Sequence, residues 1–182
     1  VSNVTTMSSM FNEATSFNQD LDQWDISNIE GLNGLSGMFN GASSFDGEIV
    51  TWNVSNIENM SNLFMNATSF NQDISNWNVS KVIDMSETFF NATSFNQDLS
   101  NWNMSNVTSA RRMFANASSF NQDITGWNVS NIWDMSSMFQ NASSFNQNLR
   151  NWDTHKVVIC SGFSEGSLLS PENVPEFPNC SN

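Results

Sequence analysis

The chain has 182 residues, with five Lys or Arg against eighteen Asp or Glu and a formal charge of −13 at neutral pH. So acidic a chain is not built to hold nucleic acid or anionic membrane surfaces, both of which bind through Lys and Arg. No apolar run approaches the roughly 20 residues of a membrane span, and fifteen Phe with seven Trp indicate a folded chain rather than an acidic disordered one.

The chain opens on Val1-Ser2-Asn3-Val4, which repeats at Val79-Ser80-Lys81-Val82. It therefore begins in the middle of a unit, and an upstream portion including a signal peptide is expected. Further along, Ser-Phe-Asn-Gln-Asp recurs with its Phe at Phe17, Phe70, Phe95, Phe120 and Phe145, and Phe45 stands in a Ser-Phe-Asp-Gly variant. From Phe45 onward the spacing is 25; from Phe17 to Phe45 it is 28. Trp24, Trp52, Trp77, Trp102, Trp127 and Trp152 keep the same spacing, as do Phe11, Phe39, Phe64, Phe89, Phe114 and Phe139. The three extra residues of the first unit fall in Glu30-Gly31-Leu32-Asn33-Gly34-Leu35, where glycine permits a bulge.

A period of this length signals a stacked array, because one unit cannot offset the entropy of ordering itself. The shared core is expected from Phe70, Ile74, Trp77, Val79, Val82, Met85, Phe89 and their equivalents. Phe70 to Ile74 alternates apolar and polar residues, which predicts a short strand. Val79 to Val82 reads as a second extended segment. Met85 to Ala92 has apolar residues three and four apart, which predicts one or two helical turns capped by Asp84 or Ser86. The expected fold is a repeat solenoid with a parallel β-sheet, short helical turns, about six coils and a C-terminal cap.

The unit Met-Phe-x-Asn-Ala-Ser/Thr-Ser-Phe-Asn-Gln-Asp-Leu/Ile-Ser-Asn-Trp-Asn-Val-Ser-Asn-Val resembles the BspA-like leucine-rich repeat surface proteins and their 25-residue "Mycoplasma lipoprotein-associated" repeat. The resemblance runs from Val1 to Val158. It implies a leucine-rich-repeat-like solenoid on a secreted or surface-anchored protein, with no catalytic residues.

The organisation read from the chain is therefore an array over residues 1–158 and a cap over 159–182. Cys160 and Cys180 bracket that cap, which is rich in Gly and Pro. Two cysteines placed only there read as a disulfide formed in an oxidising compartment, the alternative being two buried thiols. The bridge would hold Phe163, Leu168, Leu169 and Phe177 over the column that ends at Trp152.

Several surface columns are candidates for binding. Asp20, Glu48, Asp73, Asp98 and Asp123 form an acidic column, read either as a Ca²⁺ ladder or as carboxylates satisfied by solvent and neighbouring donors. Sequons for glycosylation stand at Asn3, Asn53, Asn59, Asn66, Asn78, Asn91, Asn103, Asn106, Asn116, Asn128, Asn141 and Asn179, of which few are expected to be occupied. Hydroxyl pairs recur at Thr15-Ser16, Ser43-Ser44, Thr68-Ser69, Thr93-Ser94, Ser118-Ser119 and Ser143-Ser144. A regular hydroxyl array suits ice or polysaccharide, although mixed Ser and Thr weaken the ice reading, and the pairs read rather as turn residues capping the far side of the helical segment. His155 is the single histidine, and no catalytic triad, metal-ligand spacing or phosphate loop is recognisable. Arg111 and Arg112 form a basic spot suited to a salt bridge.

The function expected is that of a non-enzymatic extracellular or cell-surface repeat protein mediating protein contact, adhesion or assembly. The alternatives are a polysaccharide-, Ca²⁺- or ice-binding solenoid, or a structural subunit of an extracellular or lumenal assembly. The partner is another protein or a surface polymer, with no nucleic acid and no cofactor unless Ca²⁺.

Overall fold

From Met85 to Ala92 the backbone N–H groups point alternately in two directions. Met85, Glu87, Phe89 and Asn91 donate to the carbonyls of Ser109, Arg111, Met113 and Ala115 one repeat later, at 2.8–3.0 Å. Thr88, Phe90 and Ala92 donate three residues back, to Met85, Glu87 and Phe89. Glu87 and Asn91 sit in the left-handed region with φ of 59° and 57°, and the equivalent positions in the other units do the same. A right-handed helix cannot pass through left-handed residues. The apolar three- and four-residue spacing is produced by consecutive tight turns.

The computed structural model describes residues 1–31 and 34–180. Leu32 and Asn33, part of the insertion expected to bulge, and Ser181 and Asn182 at the end of the cap lie outside them. Among the described residues regular secondary structure amounts to one 3₁₀ turn, Pro171–Asn173, and isolated parallel bridges such as Asn59 to Asp84, Asp84 to Ser109 and Ser109 to Asp134. The parallel β-sheet and the short helices expected from the sequence are not formed, so the leucine-rich-repeat-like sheet architecture is overturned. The chain is a stack of hydrogen-bonded turns.

Why Phe70 to Ile74 fails to pair as a strand is visible one residue past the ring. Asn71 N–H is accepted by the Asp46 carboxylate at 2.8 Å, Asn96 N–H by Asn71 Oδ1 at 2.9 Å, and Asn121 N–H by Asn96 Oδ1 at 3.0 Å. Asn146 N–H continues the line to Asn121 Oδ1 at 2.9 Å. A side-chain amide thus stands where a sheet would place a backbone carbonyl. Gln97, Gln122 and Gln147 complete it, each donating Nε2 to the backbone carbonyl of the Asn one turn before. Asn and Gln supply both a donor and an acceptor, so a column of them bridges backbones too far apart for direct ladder bonds.

Inside the stack the aromatic columns are continuous. Phe45, Phe70, Phe95, Phe120 and Phe145 stack with ring centroids 5.8–6.0 Å apart. Phe39, Phe64, Phe89, Phe114 and Phe139 form a second column at 5.4–5.7 Å. Within one unit the two columns touch face to face, as in Phe64 with Phe70 at 3.8 Å. The Trp column is buried from Trp52 to Trp152, and the indole N–H groups of Trp52, Trp102 and Trp127 reach back one turn, to Leu21 O at 2.8 Å, Ile74 O at 3.2 Å and Leu99 O at 2.9 Å, whereas those of Trp77 and Trp152 are buried without a partner. Phe11, Phe17 and Trp24 of the first unit pack on this core but are only partly buried.

Cys160 and Cys180 are joined in a disulfide with Cα atoms 6.0 Å apart. Phe163 and Leu169 are buried beneath the segment it closes, and Phe177 meets Phe163 edge-on at 5.0 Å. Leu168, expected in that apolar cover, instead points outward and is exposed. The cap is tied to the last unit by Leu149 N–H to Asn173 O, by the Thr154 hydroxyl to Glu176 O, and by Asn179 Nδ2 to His155 O.

Candidate functional site

Because the interior is filled by rings, the surface columns carry whatever binding chemistry the turns display. The acidic column does not converge. Asp73, Asp98 and Asp123 each accept the backbone N–H two residues on, from Ser75, Ser100 and Thr125, at 2.8–3.0 Å. Asp20 accepts Glu48 N–H at 3.0 Å. The Ser75 hydroxyl and then its N–H hold the Asp73 carboxyl below its ordinary range, and Thr125 does the same for Asp123. Asp73, Asp98 and Asp123 are each occupied by their own turn and Asp20 by the next one, and no group of three or more His, Cys, Asp or Glu comes together among the described residues. The Ca²⁺ ladder over Asp20, Glu48, Asp73, Asp98 and Asp123 therefore has no clustered donor set.

The hydroxyl column is likewise engaged. Ser43, Thr68, Thr93, Ser118 and Ser143 each donate to the carbonyl of the preceding turn, at 3.2–3.4 Å. These five hydroxyls are spent along the stack.

The sequon asparagines separate into kinds. Asn53, Asn78, Asn103 and Asn128 are exposed, 25 residues apart, and use only Oδ1, which accepts the N–H of Ser55, Ser80, Ser105 or Ser130. Asn91 and Asn141 spend Nδ2 on the Oδ1 of Asn66 and Asn116 one turn earlier, at 3.0 Å. Asn106 and Asn179 donate Nδ2 to backbone carbonyls at 2.7 Å. Asn59 Oδ1 accepts Ser61 N–H, and Asn3 is exposed near the chain start. A glycan on Nδ2 meets no existing Nδ2 bond in the first set, whereas at Asn91, Asn106, Asn141 and Asn179 it leaves one N–H to keep the bond already made.

Arg111 pairs with Glu87 at 2.6 Å, Arg112 lies 3.8 Å from the same carboxylate, and Arg112 also rests over the Phe90 ring. His155 stands exposed beside Asp153 at 2.8 Å, and its ring lowers the Asp153 pKa. Arg150, Asn151, Trp152, Thr154, His155, Glu176 and Pro178 line an open cavity of about 270 Å³ at the seam with the cap.

One further column stands at positions that vary from unit to unit, so the repeat pattern does not mark it. Glu58, Ile83, Thr108, Trp133 and Val158 are joined directly by backbone bonds, each N–H to the carbonyl one turn earlier, at 2.7–2.9 Å. Ile83, Trp133 and Val158 are 39%, 45% and 52% exposed. Trp133 is the one tryptophan outside the core column, and that departure was the available signal.

These features define an aromatic-cored array of 25-residue turns closed by a disulfide-bonded cap. The sequence pattern of the family described as "Mycoplasma protein of unknown function, DUF285" matches residues 1–94, 23–125 and 73–167, and the chain belongs to that family. No curated protein matches the chain. No helix among the described residues is long and apolar enough to cross a membrane.

Proposed function

We propose that this is a non-enzymatic, extracellular or cell-surface repeat protein whose repeated outer columns contact another macromolecule in adhesion or assembly. The relation to BspA-like surface proteins read from the motif belongs to this proposal. The observation that carries it is the division of the turns into an interior filled by rings and an outside on which columns such as Asn53, Asn78, Asn103 and Asn128 present the same side chain at each repeat. A periodic surface of that kind suits an extended partner met at several turns at once, and affinity then accumulates from individually weak contacts. The Cys160–Cys180 bridge supports an oxidising compartment.

Labelling intact cells with a membrane-impermeant amine reagent, followed by thiol titration of the isolated chain, tests this reading. A surface protein is labelled at Lys81 and Lys156, which are exposed, and yields no free thiol. A chain shielded from the reagent and holding two thiols contradicts the proposal. Cross-linking on the same intact cells then tests for contact with a macromolecule, and a chain recovered only as a free species overturns that half of it.

A further inference from the structure

The column through Thr108, exposed at Ile83, Trp133 and Val158, sets apolar against apolar on either side of Thr108 when it is read in reverse. We infer that it is a self-association surface, on which two copies pack face to face with their stacks running in opposite directions. The two-fold axis crosses the array at the Thr108 turn. That axis sets Thr108 against its own copy, Ile83 against Trp133 of the second copy, and Glu58 against Val158. The column two residues earlier, Asn56, Lys81, Asn106, Asn131 and Lys156, reverses in the same way. Lys156 of one copy thereby comes beside Glu58 of the other, and Lys81 beside the Trp133 ring, an arrangement that suits a cation over an indole.

Charge decides both the face and the orientation. The five equivalent segments 56–62, 81–87, 106–112, 131–137 and 156–162 hold four bases, Lys81, Arg111, Arg112 and Lys156, and four acids, Glu58, Asp84, Glu87 and Asp134. Their sum is zero, so the other fourteen acids and single Arg carry the whole −13 of the chain. Two copies meeting on the column of Asp73, Asp98 and Asp123 would bring acid against acid; here they meet on neutral ground. The alternative two-fold, with stacks running the same way along this column, sets Glu58 on Glu58, and like charges in an interface are penalised.

The geometry also limits the strength. Five residues spaced by about 4.8 Å span roughly 19 Å, a strip well short of the roughly 800 Å² per partner of a standard interface. The pair is therefore a weak, reversible dimer formed at high local concentration, as on a crowded surface. This inference rests on the face alone and stands or falls separately from the function proposed above.

Sedimentation equilibrium of the full chain over a concentration series is the test, with folding of each variant checked by thermal melting. The wild type shows a reversible monomer–dimer equilibrium. Trp133→Glu, at an exposed position, weakens it by at least about tenfold. Glu58→Lys and Lys156→Glu each weaken it by roughly two- to fivefold, and the double reversal restores it. Thr108→Cys, placed on the axis, gives a disulfide-linked dimer on mild oxidation, whereas Ser75→Cys on another face does not. A wild type monomeric at every soluble concentration overturns the inference. So does a dimer indifferent to Trp133→Glu, a charge swap that fails to restore association, or equal cross-linking by the two cysteine variants.

Discussion

The carboxamide oxygen of Asn96 accepts the backbone N–H of Asn121 at 3.0 Å, so a side chain joins two turns that a sheet would join through the main chain. The same oxygen receives Gln122 Nε2 at 3.0 Å. Replacing Asn96 by Ala leaves the Asn121 N–H to water at an exposed site, while Gln122 Nε2 keeps its bond to the Asn96 backbone carbonyl, at a cost of about 1 kcal/mol. Asn96→Asp costs less, because Asp46 already fills this role toward Asn71. Urea midpoints at unchanged slope measure both.

Trp102 is 3% exposed and bonds to Ile74 O through its indole. Trp102→Ala removes a stacked ring from the middle of the array and is expected to cost about 3–5 kcal/mol. Trp133→Ala removes the same side chain from the surface, and its expected cost is within about 0.5 kcal/mol. Melting the two variants together separates core from surface tryptophan. Equal losses would contradict the packing assignment.

Ser137 has a φ of 53°, in the left-handed region. Ser137→Val places a β-branched residue there and is expected to destabilise by roughly 1–2 kcal/mol. Ser137→Gly removes the strain and is expected to be neutral or slightly stabilising, since Gly37 and Gly162 occupy the equivalent position in other units. The same pair of denaturation curves reads both signs.

Acid weakens the fold through its lowered carboxyls. Asp25, Asp73, Asp123 and Asp153 all have pKa values below the unfolded value of 3.8, owing chiefly to hydrogen bonds from Ser27, Ser75, Thr125 and His155. A depressed carboxyl binds its proton more readily when unfolded. Its contribution is present above the unfolded pKa and is lost as pH falls through the folded one. Stability is expected to decline below pH of about 4, modestly because these groups are exposed. Asp73→Asn with Asp123→Asn flattens that decline, since Asn148 shows that Asn accepts the same backbone bond. An unchanged acid profile in the double variant would contradict the assignment.

Much of the core was legible in the sequence because large side chains at a fixed period have nowhere to go but inward. Phe70, Trp77 and Phe89 announced their columns, and two cysteines flanking a Gly- and Pro-rich tail announced the bridge. The path of the backbone was not. Alternation at Phe70 to Ile74 is the mark of a strand, yet it says nothing of what accepts the N–H of Asn71. The three- and four-residue spacing from Met85 to Ala92 is shared by a helix and by successive turns, and only the left-handed φ of Glu87 and Asn91 separates them. Glutamate in that conformation gives no advance sign. The acidic column left two readings open for a related reason: its spacing does not show that a carboxylate two residues before a Ser or Thr N–H satisfies itself locally before it meets its neighbours.

Scalar couplings across hydrogen bonds, measured by NMR on isotopically labelled chain, address the central claim most directly. The amide nitrogens of Asn96, Asn121 and Asn146 are expected to couple to the side-chain carbonyl carbons of Asn71, Asn96 and Asn121. Couplings to backbone carbonyl carbons in a continuous parallel register would mean a true sheet and contradict the amide ladder.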